Sequence, residues 1–226
     1  MYTLTEIDRP MYTTDRLTLR MNSTSDEADL LGSVLRPENV LERHLLTLPD
    51  FQRGLFWGEP RFGHPEGRVV FHVREVLDNI DRIPMLSHSE RIRLRLVAFA
   101  HDTFKYAEDR SRPRNWAKHH AQLARQFLSQ FTDDQVVLDI LETHDDAFYA
   151  WLASRMDTSN TLSSSHPLKT LDGLLNQMGY CMQTYYLFFK CDTQTGDKTQ
   201  APLKWFETTV PDIHLVPVRE RMRGRR

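Results

Sequence analysis

The chain has 226 residues, 40% of them hydrophobic and 27% charged, so it can form a full hydrophobic core and is not disordered throughout. Lys and Arg total 29 against 31 Asp and Glu, and this near balance argues against binding that depends on bulk positive charge. Two Cys against ten His exclude a disulfide scaffold and a cysteine-rich zinc module. Histidine and carboxylate chemistry stays open.

Helical patterning follows a Thr-rich, irregular segment over residues 1–23. The predicted helices, in chain order, are a short one from Thr24, then 37–47, 66–82, 88–107, 115–130, one from Thr132 to about 155, and 167–190. Gly and Pro predict a loop over 50–67, and residues 192–226 are expected to be polar and then extended. The Arg-rich end at 219–226 is interpreted as a solvated terminus, with a nucleic-acid contact as the alternative. No alternating pattern competes with these helices, so the predicted fold is all-α.

Neither end of the chain indicates secretion or membrane insertion. The N-terminal segment contains no apolar run long enough for a signal peptide. The most apolar late stretch, 180–189, is ten residues long, whereas a membrane-spanning helix needs about 20. We therefore expect a soluble, cytoplasmic protein with no membrane partner.

Four predicted helices each carry one His on the apolar face that would point inward. These residues are His72, His101, His120 and His144. Asp102 follows His101 directly, and Asp192 continues the apolar stripe of the last helix. Burying so many polar groups is costly unless something satisfies them together, and a metal ion does so because imidazole nitrogen and carboxylate oxygen are common ligands. Helical phase alone leaves a shared metal site and separately hydrogen-bonded core histidines both open. It also leaves His119, about 100° from His120 on its helix, as an alternative ligand.

The segment LVAFAHDTFKYAE (96–108) resembles the signature of the HD superfamily of metal-dependent phosphohydrolases, with Lys105 four positions after the His. The segment GHPEGRVVFHVREVLDNID (63–81) is similar to the start of the HD domain of bacterial tRNA nucleotidyltransferases. Two further segments, KHHAQLARQFL (118–128) and DILETHDDAF (139–148), resemble the later helices of the HD domain. The Thr103-Phe104 pair departs from the Ile-Gly that is common in the family.

The resemblance implies an arm and covering helices over 1–60, an HD metal-binding domain over 61–192, and a C-terminal extension with a basic tail over 193–226. It implies a metal site of His72, His101, Asp102 and Asp192. A second ion, bridged by Asp102, would be held by His120 and His144. One or two divalent ions (Mn, Mg, Co, Fe or Zn) would activate water, with Asp102 and Lys105 as catalytic residues and with Lys105 and Arg61 binding the substrate.

The function that the resemblance implies is hydrolysis of a phosphoester in a nucleotide or another small phosphorylated substrate. The near-neutral charge favours such a substrate over nucleic acid, and the oligomeric state stays open. The same ligand order also resembles that of HD-type di-iron oxygenases of inositol and phosphonates. A catalytically silent, metal-stabilised interaction module is the third interpretation.

Overall fold

The computed structural model describes residues 24–111, 115–155 and 170–217, and over these residues the fold is all-α, as predicted. The helices are α1 (Thr24–Leu35), α2 (Val40–Leu45), α3 (Pro49–Phe56), α4 (Val69–Asp81), α5 (His88–Ala100), α6 (His120–Leu128), α7 (Gln135–Thr143), α8 (Asp146–Arg155), α9 (Leu171–Met178), α10 (Met182–Thr193) and α11 (Ala201–Thr209). Short 3₁₀ turns lie at Lys105–Ala107, Trp116–Lys118 and Gly179–Cys181. The predicted arm over 1–23, the start of the predicted helix 167–190 and the tail at 219–226 lie outside the described residues.

Helices α4 and α5 form the centre of the fold, and α10 packs against both. Apolar residues three or four apart give α4 a continuous buried face, made of Val69, Val73, Val76, Leu77 and Ile80. Helix α7 packs on α5 and on α6. The five helices therefore enclose one interior, and each of them brings a predicted site residue to it or ends beside one.

The N-terminal helices are tied to this centre by a buried ion pair. Arg95 of α5 donates from Nε and Nη2 to the two carboxylate oxygens of Glu42 in α2, at 2.9 and 2.8 Å. The two-pronged geometry offsets the desolvation of both charges. Buried apolar side chains from Leu31 to Val210 form one cluster.

The predicted loop over 50–67 is wrong in its first part, which forms α3. Gly54 contributed to the loop prediction, but its role is close packing within a helix. A Cβ atom at this position would lie 1.8 Å from the carbonyl oxygen of Thr103. Helix α3 thus packs directly against the turn that carries Asp102.

Several predicted helices are shorter or more divided than their apolar patterns indicate. The predicted helix 115–130 is divided into the 3₁₀ turn Trp116–Lys118 and α6. The predicted helix 88–107 ends as an α-helix at Ala100, and the one from Thr132 to about 155 is divided into α7 and α8. The N-cap of α7 is Asp134 rather than Thr132, since the Asp134 carboxylate accepts from the backbone N–H of Val136. A 3₁₀ turn divides α9 from α10.

The region after 192, predicted to lack helix, contains α11. None of the helices in the described part of the chain combines the length and the apolar character needed to cross a lipid bilayer.

Candidate metal centre

Two of the predicted site histidines lie just past a helix end, in the same local geometry. His101 follows the last residue of α5, and His144 follows the last residue of α7. Nδ1 of each ring donates to the carbonyl oxygen three residues earlier, that of Ala98 at 3.0 Å and that of Leu141 at 2.8 Å. Carbonyls at a helix C-terminus lack an intrahelical donor, so the imidazole satisfies them. In the neutral ring this leaves the lone pair on Nε2.

The other two histidines come from α4 and from the start of α6. Nδ1 of the buried His72 lies 3.3 Å from Oε1 of Glu66, and Nδ1 of His120 lies 3.3 Å from Oε1 of Glu108. Both carboxylates are themselves only 5% exposed. A carboxylate beside Nδ1 favours a proton on that nitrogen and a lone pair on Nε2, which is the usual arrangement of a metal-binding histidine.

The four Nε2 atoms meet in two pairs around Asp102. Nε2 of His72 lies 3.1 Å from that of His101, and Nε2 of His120 lies 3.2 Å from that of His144. Oδ2 of Asp102 lies 3.5 and 3.6 Å from the first pair, and Oδ1 lies 3.6 and 3.8 Å from the second. Asp102 therefore belongs to two ligand groups: the first group contains His72 and His101, and the second group contains His120 and His144.

Each group has one further carboxylate. Oδ1 of Asp192, from α10, lies 2.9 Å from Nε2 of His72. Oδ2 of Asp145 lies 3.3 Å from Nε2 of His120 and 3.6 Å from that of His144. The structure thus brings together all six predicted ligands and adds Asp145 to them.

The spacing of these atoms fits a shared ion. Two ligand atoms that each lie about 2.1 Å from one metal are about 3.0 Å apart at a right angle and about 3.4 Å apart at a tetrahedral angle. The two Nε2 pairs, at 3.1 and 3.2 Å, fall in that range. Nitrogen lone pairs and carboxylate oxygens are all acceptors, and they repel one another unless protons or a cation lie between them. The buried His and Asp groups could therefore hold a metal ion.

Neighbouring lysine and histidine side chains keep the carboxylates of the centre ionised. Burial alone would raise the pKa of Asp102, but Lys105 and His101 outweigh it and hold that pKa well below its ordinary range. Burial also opposes ionisation of Asp192, and here Lys198 and His101 keep the pKa well below its ordinary range. Ionised carboxylates are the form that binds a cation.

Two imidazoles of the centre bind protons more strongly than free histidine does. Burial lowers the pKa of His144, but the charge of Asp145 and contact with Asp102 outweigh it and raise the pKa to about 9. The pKa of His72 is also raised, because contacts with the carboxylates of Asp192 and Glu66 outweigh burial and the charge of Lys198. In the absence of metal, protons on these imidazoles thus reduce the repulsion between the converging acceptor atoms.

The centre lies at the floor of a cavity of about 310 Å³. Lys105 and Lys198 line this cavity together with Asp102 and Asp192. Nζ of Lys105 lies 2.5 Å from Oδ2 of Asp102, and Nζ of Lys198 lies 2.9 Å from Oδ1 of Asp192. Lys105, whose role as a substrate contact stays a prediction, therefore lies at the cavity, and Lys198 is a second lysine there that the sequence pattern does not indicate.

Arg61, the other predicted substrate contact, lies elsewhere. It is exposed, its backbone pairs with that of His64, and it lines a separate surface depression with Trp57 and Arg110. The structure does not bring Arg61 to the cavity above the centre.

His120, rather than His119, faces the second group. His119 is the N-cap of α6, where its Nδ1 accepts from the backbone N–H of Ala121 at 3.3 Å. Its Nε2 lies 3.4 Å from Oε1 of Glu108, and burial together with the neighbouring His120 lowers its pKa to about 3. His119 thus lies beside the second group, against the Glu108 carboxylate that also contacts His120, and its Nε2 is 3.9 Å from Oδ2 of Asp145.

The break between α7 and α8 is held by a hydroxyl group from α10. The Tyr185 hydroxyl donates to the carbonyl oxygen of Thr143 at 2.9 Å and accepts from the backbone N–H of Ala147 at 3.1 Å. These backbone groups lie on either side of the break. The break in turn presents His144 and Asp145 to the second group.

Three acidic residues of the centre are not among the ligands predicted from the sequence. Glu66 lies in the HPEG segment, where Gly and Pro were equally compatible with a simple turn. Asp145 follows His144, and the sequence leaves open whether it orients the imidazoles or is a solvated side chain. Glu108 lies in a charged loop without periodicity, so no sequence signal places it beside His120.

Comparison with models of known protein families, with curated proteins and with solved structures finds no match to this chain. Membership of the HD superfamily stays a prediction.

Proposed function

We propose that this chain is a metal-dependent phosphohydrolase of the HD superfamily, cleaving a phosphoester of a nucleotide or another small phosphorylated substrate. The observation that carries the proposal is the position of Asp102, whose two oxygens each face a pair of histidine Nε2 atoms. This arrangement suits one or two divalent ions with nitrogen and oxygen ligands, such as Mn, Mg, Co, Fe or Zn. When bound, such an ion supplies Lewis acidity, which lowers the pKa of a coordinated water from about 15.7 towards about 7.

The residues of the chain hold the ion and orient the phosphate. Asp192 and Asp145 supply one additional oxygen to each ligand group. Lys105 and Lys198 place two ammonium groups in the cavity that the centre opens into. An ammonium group attracts phosphate oxygens as a compact point charge, so the two lysines favour a phosphorylated substrate over an uncharged one.

The test begins with metal analysis of protein purified without added metal. Phosphate release is then measured from a panel of small phosphoesters, with each divalent ion added in turn. We expect release with at least one ion, and a loss of about a hundredfold or more in the Asp102→Asn variant, which keeps the size of the bridging side chain but removes its charge. The His88→Ala variant is the matched control, since His88 is exposed at the start of α5, and it should keep wild-type activity.

The same experiment separates the competing functions. Two bound irons with oxygen consumption and no phosphate release would identify an HD-type oxygenase and overturn the proposal. Bound metal with no turnover of any kind would instead support a metal-stabilised interaction module, and it would equally overturn the proposal.

A further inference from the structure

The cavity above the centre has aromatic side chains at its opening. Phe62 and Phe148 line it, and their side chains are 91% and 37% exposed. Only six large apolar side chains are exposed among the described residues, and Phe62 and Phe148 are the two phenylalanines among these six. Both lie at the same cavity. Phe189 and Pro202, which are largely buried, continue the apolar wall inward.

Phe62 lies on a turn whose position is fixed. Arg61 and His64 exchange two backbone hydrogen bonds, at 3.1 and 2.9 Å, and so close the turn that contains Phe62. The backbone N–H of Gly63 donates to Oδ1 of Asp197 at 2.7 Å, which ties the turn to the segment before α11. The backbone that carries the exposed ring is therefore held beside the cavity in advance, and this reduces the cost of ordering the turn on binding.

Phe148 is fixed relative to the metal centre by its own helix. It lies in α8, three residues after Asp145, whose carboxylate belongs to the second ligand group. Its ring packs against that of Trp151 at 5.8 Å between centroids. Phe148 and Asp145 both line the cavity, so a ligand held at the centre can reach the ring through it.

The size and charge of the cavity limit what it can hold. Its volume of about 310 Å³ is at the lower end of the roughly 300–1,000 Å³ typical of ligand pockets. One phosphate and one ring system fill such a volume. Three aspartates and two lysines line it, so its charge becomes positive, and complementary to a phosphate dianion, when a divalent ion is bound.

We infer that the substrate is a phosphate monoester whose alcohol carries a planar ring, and that Phe62 and Phe148 hold this ring by stacking. The inference rests on the proposed phosphohydrolase function and adds the substrate class. Lys105 and Lys198 contact the phosphate. Water gives its oxygen to phosphorus, the bond from phosphorus to the alcohol oxygen breaks, and that oxygen takes a proton, so the products are the free alcohol and inorganic phosphate.

The test compares matched substrates on the metal-loaded full chain. Adenosine monophosphate and ribose 5-phosphate share the same phosphate ester and differ in the ring, and 2-phenylethyl phosphate and ethyl phosphate form a second such pair. We expect kcat/KM to be roughly tenfold to a hundredfold higher for the member that carries the ring, as stacking of one base against aromatic side chains gives. Phe62→Ala and Phe148→Ala should each raise KM for that member and leave KM for the other unchanged.

Two variants control for unrelated effects. Phe62→Tyr keeps the ring and should keep the preference, and Met85→Ala removes an exposed apolar side chain that does not line the cavity and should change neither KM. Equal kcat/KM within both pairs, or equal effects of the Phe variants on both members, would overturn the inference and leave the phosphohydrolase function standing. Absence of phosphate release from all four substrates and the wider panel, with every ion, would overturn both.

Discussion

Nε2 of His72 lies 3.1 Å from Nε2 of His101, within hydrogen-bond distance, yet the His101 nitrogen has no proton to give in its neutral form. The one proton of the neutral His101 ring is on Nδ1, because that atom faces the carbonyl oxygen of Ala98. Nε2 of His72 also contacts Asp192 at 2.9 Å. The two imidazoles therefore need either a shared proton or a shared cation, and this requirement underlies the predictions below.

Metal binding is expected to release protons. His72 has a raised pKa and His144 has a pKa of about 9 in the metal-free protein, so protons occupy nitrogen atoms that a metal would use. Metal affinity should rise as the pH is raised towards 9 and fall as the pH is lowered from there. Calorimetry at pH 7 in two buffers of different ionisation enthalpy should show release of about one proton or more per chain. Binding heats that are independent of the buffer would contradict the raised pKa values.

Changes at the three aspartates are expected to affect the two ligand groups differently. Asp102→Asn should weaken both groups, whereas Asp192→Asn should weaken the first and Asp145→Asn the second, each by about tenfold or more. Metal content after equilibration against graded ion concentrations measures this. Asp172→Asn, at an exposed position of α9, is the control. If Asp192→Asn and Asp145→Asn each lowered the metal affinity of both ligand groups equally, the two groups could not be separate sites joined by Asp102.

The two buried glutamates are expected to orient the histidines. Glu108 lies beside Nδ1 of His120, and Glu66 lies beside Nδ1 of His72. Replacing either by Gln removes the charge that holds the ring orientation, so metal affinity should fall about tenfold to a hundredfold. Glu108→Gln should lower the metal affinity of the second group, and Glu66→Gln should lower that of the first. Competition with a coloured chelator measures both affinities. Glu207→Gln tests the alternative of a general stability effect, and it should leave metal affinity unchanged.

Tyr185 is expected to support the second group through the break between α7 and α8. Tyr185→Phe leaves backbone groups of Thr143 and Ala147 without their partner, which should cost about 1–3 kcal/mol in the free energy of unfolding. Metal affinity of the second group should fall as well. Urea unfolding and metal titration measure the two effects.

Tyr186→Phe is a closely matched control for Tyr185→Phe. Its hydroxyl contacts Glu207 and Lys190 rather than the helix break, so its loss should lower stability and leave metal affinity intact. Equal metal affinity in both variants would show that the Tyr185 hydroxyl only stabilises the fold.

Much of the centre could be predicted from helical phase. On α4, the spacing of apolar residues already predicts that His72 faces inward. The spacing on α10 predicts the same for Asp192. The pattern around His144 predicted an uninterrupted helix, however, because apolar residues continue on both sides of the break. The Tyr185 hydroxyl of α10 bridges the break, and this tertiary contact cannot be inferred from the spacing of apolar residues along α7 and α8.

Residues outside regular helices could not be placed in this way. Glu108 reaches His120 because the 3₁₀ turn before it packs against α6 and the backbone N–H of Asp109 donates to the carbonyl oxygen of Lys118. Lys198 lies in the segment between α10 and α11, and its contact with Asp192 depends on the turn that follows α10. In both cases the partner is determined by packing rather than by spacing along one element.

The metal content of protein purified without added metal decides most directly whether the convergent His and Asp side chains form a metal centre. We expect one or two divalent ions per chain, a lower free energy of unfolding after chelation, and loss of both in the His72→Ala variant. A chain that contains no metal and binds none when ions are added, with His72→Ala as stable as the wild type, would contradict the metal centre and the function proposed from it.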